Sequence, residues 1–327
     1  MRALMTHDFG GLDSLKIAKC PSLIPQNGDV KIKVKVAGLN FFDTLIIENK
    51  YQTIPSLPFS PGAEFCGEVI GVGENVHNFT LGMRVAGYIP YGACQDEIIV
   101  NQNRLTLVPE GVSDEDAAAS IVTYGTTLYA LKNRAQLQPQ ESLLISGASG
   151  GTGLAAITLG KIMGAHVIAA ASNENKLAIC KEYGADSLLC YDALEGVMLK
   201  NAIKDLTQGK GVDVVYDPVG GDFAEPAIRA TAWNGRYLVI GFAGGFIPKI
   251  PLNLTLLKNM ALIGVFWGEF TERMPHLHQE NMRFIFNLIA QKKLHIHIGE
   301  RYALEDGVEA IRALKERKAV GKIIIKM

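Results

Sequence analysis

The first clear pattern along the chain is a strict alternation. From Asp29 to Val36 it reads DVKIKVKV, with Val30, Ile32, Val34 and Val36 set against Lys31, Lys33 and Lys35. Successive side chains of a strand point to opposite faces, so this segment predicts a strand with one face buried and one in water, as antiparallel sheets present. Shorter apolar runs follow over 68–72, 84–89 and 97–100, punctuated by Gly, Pro and Asn. Together they predict a rolled or barrel-like β domain.

Near residue 115 the rhythm changes. Asp114-Glu115-Asp116 precede an Ala-rich run over 117–120, and carboxylates favour the positive end of a helix dipole. A second helical stretch, 126–135, ends before Pro139. Strand and helix patterns then alternate: strands over 142–146, 166–171, 187–190, 212–216 and 236–240, with helices over 152–163, 175–183, 196–207 and 223–231 between them. Short apolar strands separated by helices predict a parallel sheet covered on both faces, and the right-handed crossover rule makes it doubly wound. After Gly264 come a helix over 280–291, a short strand in His295-Ile296-His297-Ile298-Gly299, a helix over 304–317 and a last strand over 322–326. This tail does not continue the alternating series and is expected to rejoin the first domain.

Composition narrows the function. Of 327 residues, 48% are hydrophobic and 20% charged, enough apolar material for packed cores. Lys+Arg is 32 against Asp+Glu 33, a net charge of -1, so no surplus of cations exists to neutralise phosphates; nucleic acid and anionic membrane are not expected partners. No apolar stretch reaches membrane-spanning length and the N-terminus lacks a signal-like core, which predicts no membrane insertion and a cytoplasmic protein. The five cysteines, Cys20, Cys66, Cys94, Cys180 and Cys190, have neither disulfide-framework nor zinc-ribbon spacing. Cys66 reads as a small buried hydrophobe. His276-Leu277-His278 and His295-Ile296-His297 each offer two histidines without a third ligand, so no metal is expected.

The most informative segment is Ser146-Gly147-Ala148-Ser149-Gly150-Gly151-Thr152-Gly153, between an expected strand and an expected helix. In that context glycines let the backbone approach a pyrophosphate and the helix N-terminus supplies N–H groups. The first glycine of the usual fingerprint falls on Ala148, which requires a negative φ there; the alternative is a tight turn needing glycine only for packing. At the tip of the next strand an NAD site wants a carboxylate. Here the tip carries Ser172, with Glu174 beyond it and Lys176 four residues on. A missing tip carboxylate together with a lysine favours a 2′-phosphate, hence NADPH.

These residues, in order, resemble the medium-chain dehydrogenase/reductase superfamily, and within it the zinc-free NADPH:quinone oxidoreductases. The likeness runs through Gly38-Leu39-Asn40-Phe41-Phe42-Asp43, Pro61-Gly62-Ala63-Glu64, Gly67-Glu68-Val69, Gly82-Met83-Arg84-Val85, Tyr124-Gly125-Thr126-Thr127, the loop at 147–153, Asp217-Pro218-Val219-Gly220-Gly221 and Gly321-Lys322. It implies an α/β protein in which both chain ends form a GroES-like β domain (1–122 and 266–327) around a central doubly wound Rossmann domain (123–265). Relative to zinc-dependent relatives, Leu39-Asn40 and Ala63 occupy ligand positions, and alanine and asparagine do not replace thiolate and imidazole. Met83 stands where the family usually has Asp.

The resemblance places Asn40, Asp43 and Tyr51 at the reacting end of the substrate site, Asn40 and Tyr51 as candidate donors to a developing oxyanion. It assigns the cofactor to Thr126, to Ser149, Gly150, Gly151, Thr152 and Gly153, to Ser172, Lys176 and Tyr191 around the 2′-phosphate, to Gly241, Phe242, Phe266 and Trp267 near the nicotinamide, and to Lys322. Glu64 is expected to organise hydrogen bonds. The implied activity is metal-free transfer of hydride or electrons from NADPH to a quinone or conjugated carbonyl. Rival readings are an enone or enoyl-thioester reductase and a non-catalytic NADPH-binding protein. A homodimer is expected; for Leu252–Leu257, a partner surface and a local core segment are equal alternatives.

Overall fold

A computed structural model of the chain describes residues 1–316 and 319–327. It forms two compact units, Met1–Gly125 with Gly268–Met327, and Thr126–Trp267.

The first unit is built on the alternating strand. Asp29–Leu39 buries Val30, Ile32, Val34 and Val36 and continues through Ala37-Gly38-Leu39, where both faces are covered. Glu64–Val72 and Glu97–Asn101 pair antiparallel with it, and so does Lys322–Lys326, whose three isoleucines are fully buried. The sheet continues on one side to Arg84–Tyr88 and Leu105–Leu107, and on the other to Ile298–Ala303, parallel to the last strand. The last strand therefore carries Lys322 next to Leu39 and Asn40. Phe65, Ile98, Leu4 and Ile325 fill the core.

The second unit is a six-stranded, all-parallel sheet in the spatial order Ser187–Cys190, His166–Ala171, Ser142–Ile145, Val212–Asp217, Thr231–Val239, Ala261–Gly264. The chain order reverses direction between Ser142–Ile145 and Val212–Asp217. That is the topological switch point, beyond whose strand ends ligands bind in open α/β sheets. Central strands such as Leu143-Leu144-Ile145 and Val214-Val215-Tyr216 are wholly buried, as parallel strands covered on both faces require.

Several elements differ from the sequence-based expectation. The two helices expected around 117–120 and 126–135 are one helix, Asp114–Leu128, running into a π-helical turn at Tyr129–Arg134; the intervening Ile121, Val122 and Tyr124 are buried, so packing carries the helix through Gly125. The helix expected over 223–231 is shorter, Ala224–Arg229, because Thr231–Val239 takes over as a strand bent at Asn234, whose φ is 61°. The strand expected in the His-Ile-His-Ile-Gly segment lies later, at Ile298–Ala303, where Lys322–Lys326 offers a pairing edge. The tail helix is Gly307–Lys315 after a 3-10 turn; Arg317, its expected end, lies outside the described residues. Helices Phe41–Ile46, Asn253–Lys258 and Trp267–Arg273 were not legible in the pattern.

At Asn253–Lys258, Leu254 is buried while Leu252, Leu256 and Leu257 are exposed. Leu262 in the outermost strand, Ala261–Gly264, is exposed too.

Candidate active site

In the first unit, Asn40 caps the short helix Phe41–Ile46. A capping box ties Asn40 to Asp43: the Asp43 Oδ2 accepts the Asn40 backbone N–H at 2.7 Å. Asp43 Oδ1 accepts the N–H of Gly62 at 3.0 Å, so one carboxylate joins two segments. Asp43 is fully buried, and burial pushes its carboxyl up to about 7, against the lowering effect of those two N–H donors and of Lys322.

Next to it lies a buried ionic cluster. Glu64 and Lys322 form an ion pair, both almost without exposure. The Lys322 ammonium also donates to the Leu39 carbonyl and to Asn40 Oδ1, each at 2.6 Å. Glu64 Oε1 accepts from Asn40 Nδ2 at 2.9 Å, while Oε2 accepts the Val122 N–H at 2.6 Å. Gly38 makes room for this: a Cβ there would clash with Glu64 Oε1. The cluster fixes which way the Asn40 amide faces, oxygen to the lysine and nitrogen to the glutamate, and leaves one amide N–H over. Glu64 thus has the organising position expected of it. The three N–H donors of Lys322, assigned to the cofactor by the resemblance, have three acceptors within the β unit.

Tyr51 stacks on Phe42 with ring centroids 5.2 Å apart. Burial, with the nearby Asp43 charge, raises its phenol, so it stays protonated at neutral pH. Cys66 is buried with a raised thiol, the state of an inert cysteine. His278 is buried edge-on against Phe270, its imidazole lowered to about 4 by burial. Among the described residues no three of His, Cys, Asp and Glu stand together as a metal-ligand set.

In the second unit, the glycine turn follows Ser142–Ile145 at the switch point. Gly147 has a φ of 54°, so it takes the left-handed step that the fingerprint's first glycine would supply, and Ala148 is free of that demand. Gly150 then opens Gly151–Ile162 without a side-chain cap and with no acid in the first turn. Those terminal N–H groups are suited to an anion. Gly153 is needed for packing: its Cβ would meet the Gly147 and Ala148 carbonyl oxygens at 2.5 Å. Ser149 is buried within this turn.

At the tip of His166–Ala171, Lys176 Nζ lies 3.4 Å from Ser172 Oγ. Asn173 caps the helix Glu174–Glu182 by accepting the Lys176 backbone N–H, and Glu174 points into solvent. Tyr191 packs on Phe223 beside them, its N–H bonded to the Ala171 carbonyl. Ser172 and Lys176 thus lie together at this strand tip, with the Tyr191 backbone bonded to its last residue. Phe242, next to Gly241, and Phe266 are exposed; Thr126 and Trp267 are buried. Sequence reasoning gave no role to Asp217. It sits buried at the switch point and accepts from Ser146, Tyr237 and the N–H groups of Val219 and Gly220.

Known proteins match this chain over its length. Residues 26–120 match the alcohol dehydrogenase GroES-like domain and residues 151–283 the zinc-binding dehydrogenase family. Quinone oxidoreductase-like protein 2 of Rattus norvegicus is 37% identical over 300 residues, spanning 91% of this chain and 85% of its own. The Escherichia coli quinone oxidoreductase, solved in complex with NADPH, superposes with a TM-score of 0.92 at 26% identity, covering both chains completely. A mycobacterial protein solved in complex with NADPH gives 0.93 at 27% identity, again over the whole of both chains.

Asp43 makes stability depend on pH in a defined sense. Its folded pKa of about 7 lies above the unfolded value of 3.8, so its contribution is fully present below the unfolded value and is lost as pH rises through about 7. The stability gap between wild type and Asp43→Asn, from denaturant midpoints at pH 4.5 to 8, should narrow as pH rises, by on the order of a few kcal/mol. A gap independent of pH would contradict the raised carboxyl.

Proposed function

Because the chain belongs to the quinone oxidoreductase family of the medium-chain dehydrogenases/reductases, we propose that it reduces a quinone or related conjugated carbonyl with NADPH and without a metal. That it is an NADPH-dependent oxidoreductase follows from the family and from its relatives solved with NADPH. The observation that carries the finer reading is the Asn40 amide, locked between Lys322 and Glu64 with one N–H to give. When bound, NADPH supplies hydride from its reduced ring.

This chain's own residues fit that cofactor. The uncapped start of Gly151–Ile162 receives the pyrophosphate, and Lys176 with Ser172 and Tyr191 receives the 2′-phosphate. Phe242, Phe266, Thr126 and Trp267 are assigned to the nicotinamide. On the acceptor side, the spare N–H of Asn40 meets the oxygen on which charge develops. The Lys322 charge on Asn40 Oδ1 polarises the amide and strengthens that donor. Asp43 holds the backbone of Asn40 from below, and the protonated phenol of Tyr51 gives a second donor. A conjugated acceptor spreads the incoming charge toward a remote oxygen, so hydrogen-bond donors suffice where simple alcohol oxidation wants a Lewis acid; the positions of zinc ligands in relatives hold Leu39, Asn40 and Ala63.

The exposed leucines form the contact of a homodimer. Ala261–Gly264 is an edge strand that carries the exposed Leu262, and Leu252, Leu256 and Leu257 shortly before it in the chain are exposed as well. An apolar edge of this kind is covered by a second copy pairing strand to strand.

Three measurements test this reading. In an acceptor screen at saturating NADPH, quinones should be turned over faster than alkenals and crotonyl thioesters, and Asn40→Ala should lower kcat about a hundredfold with little change in KM. Faster turnover of the thioester, or an unaffected Asn40→Ala enzyme, would reject it, and NADPH binding without turnover on any acceptor would leave a binding protein. Lys176→Ala should raise the NADPH dissociation constant about tenfold and leave NADH nearly unchanged; equal losses would remove the 2′-phosphate assignment. In sedimentation velocity the wild type should run as a dimer and Leu256→Asp as a monomer, whereas a monomeric wild type would discard the edge contact.

A further inference from the structure

One buried carboxylate organises the switch point of the parallel sheet, and the reaction described above makes no use of it. Asp217 closes the strand Val212–Asp217 and is 1% exposed. Its Oδ1 accepts from the Ser146 hydroxyl and from the backbone N–H groups of Val219 at 2.8 Å and Gly220 at 3.0 Å. Its Oδ2 accepts from the Tyr237 hydroxyl, on the neighbouring strand Thr231–Val239. Four donors from three segments therefore converge on one side chain. Two successive N–H groups on a single oxygen fix the turn that carries them.

That turn touches both halves of the loop system. Ser146 is the residue before Gly147, and a Cβ at Gly147 would stand 2.8 Å from Val219 Cγ2, so the phosphate turn rests against the Val219 side chain. On its other side the turn is laced to the Phe242 loop: the N–H of Ala243 donates to the Pro218 carbonyl at 3.0 Å and that of Gly244 to the Val219 carbonyl at 2.8 Å. Gly220, with a φ of 67°, would drive a Cβ to 2.8 Å from the Phe242 ring. None of these contacts involves Ser172 or Lys176, which sit at the tip of His166–Ala171, and Tyr191 is bonded to that tip through its backbone while its ring packs on Phe223.

We propose that Asp217 is a positioning residue that holds the phosphate turn and the Phe242 loop in one fixed arrangement for the nicotinamide half of NADPH, while the adenosine half is held independently. The proposal rests on the assignment of NADPH to this unit and not on the identity of the acceptor.

Isothermal titration with two ligands separates the halves: NADPH, and adenosine 2′-monophosphate, which lacks both the pyrophosphate and the nicotinamide. Asp217→Ala should raise the NADPH dissociation constant about tenfold and leave that of the monophosphate within about twofold. Asp217→Asn keeps an Oδ1 for the two N–H groups and turns its Nδ2 to the Tyr237 oxygen, so it should stay within about threefold of wild type for both ligands. Equal weakening of both ligands by Asp217→Ala, or unchanged NADPH binding, overturns the proposal. If Asp217→Ala does not fold, Tyr237→Phe removes only the Oδ2 donor and should weaken NADPH about threefold without touching the monophosphate; an equal or absent effect there overturns it as well. A wild type that binds neither ligand removes the cofactor assignment and the clamp with it. A wild type that binds the monophosphate with no further gain from NADPH removes the turn and nicotinamide half alone.

Discussion

The ion pair between Glu64 and Lys322 is the constraint on which the arrangement around Asn40 depends. Both charges have left water almost entirely, and such burial is tolerable only where the remaining donors and acceptors are matched. They are matched here by the Leu39 carbonyl, the Val122 N–H and both ends of the Asn40 amide. Removing one partner would strand the other charge, at a cost of about 3–5 kcal/mol. The pair also joins the last strand of the chain to its early strands, so closing the β unit and orienting Asn40 are a single event. A polar network of this kind selects one arrangement of the amide where an apolar core would leave it indifferent.

The nucleotide side is governed by backbone geometry and needs few charges. A left-handed Gly147, an uncapped Gly150 and a close-packed Gly153 give the turn its shape. Lys176 adds a cation at the far end, where the strand tip carries Ser172 in place of a carboxylate. The two sides thus solve different problems: one must bring a polar donor to bear from a dry interior, the other must offer open N–H groups to phosphate.

What could be read from the chain follows the range of the physics involved. The Val/Lys alternation and the strand–helix rhythm are local, and they yielded the antiparallel unit and the parallel sheet. The glycine turn was legible because its context lies within a dozen neighbours. The helix Phe41–Ile46 escaped notice because six residues give no periodicity and its cap uses Asn and Asp in place of the familiar Ser/Thr and Glu. The position of Lys322 depended on pairing with Leu39, which lies 283 residues away in sequence, and no window reveals that. Asp217 was visible only as part of a motif; two of its donors are local to its own turn, and the other two, Ser146 and Tyr237, meet it because the sheet places Ser142–Ile145 and Thr231–Val239 on either side. Leu256 and Leu257 show a different limit, since an apolar run reads alike whether it faces a core or a neighbour.

A carboxyl that ionises near neutrality inside a sealed unit has a consequence for what the protein is in ordinary buffer. With Asp43 raised to about 7 by burial, one proton gained or lost changes this fold by a whole elementary charge. That charge sits one hydrogen bond from the Asn40 backbone. The electrostatic potential at the amide therefore depends on the proton concentration of the surroundings as well as on the amino-acid sequence.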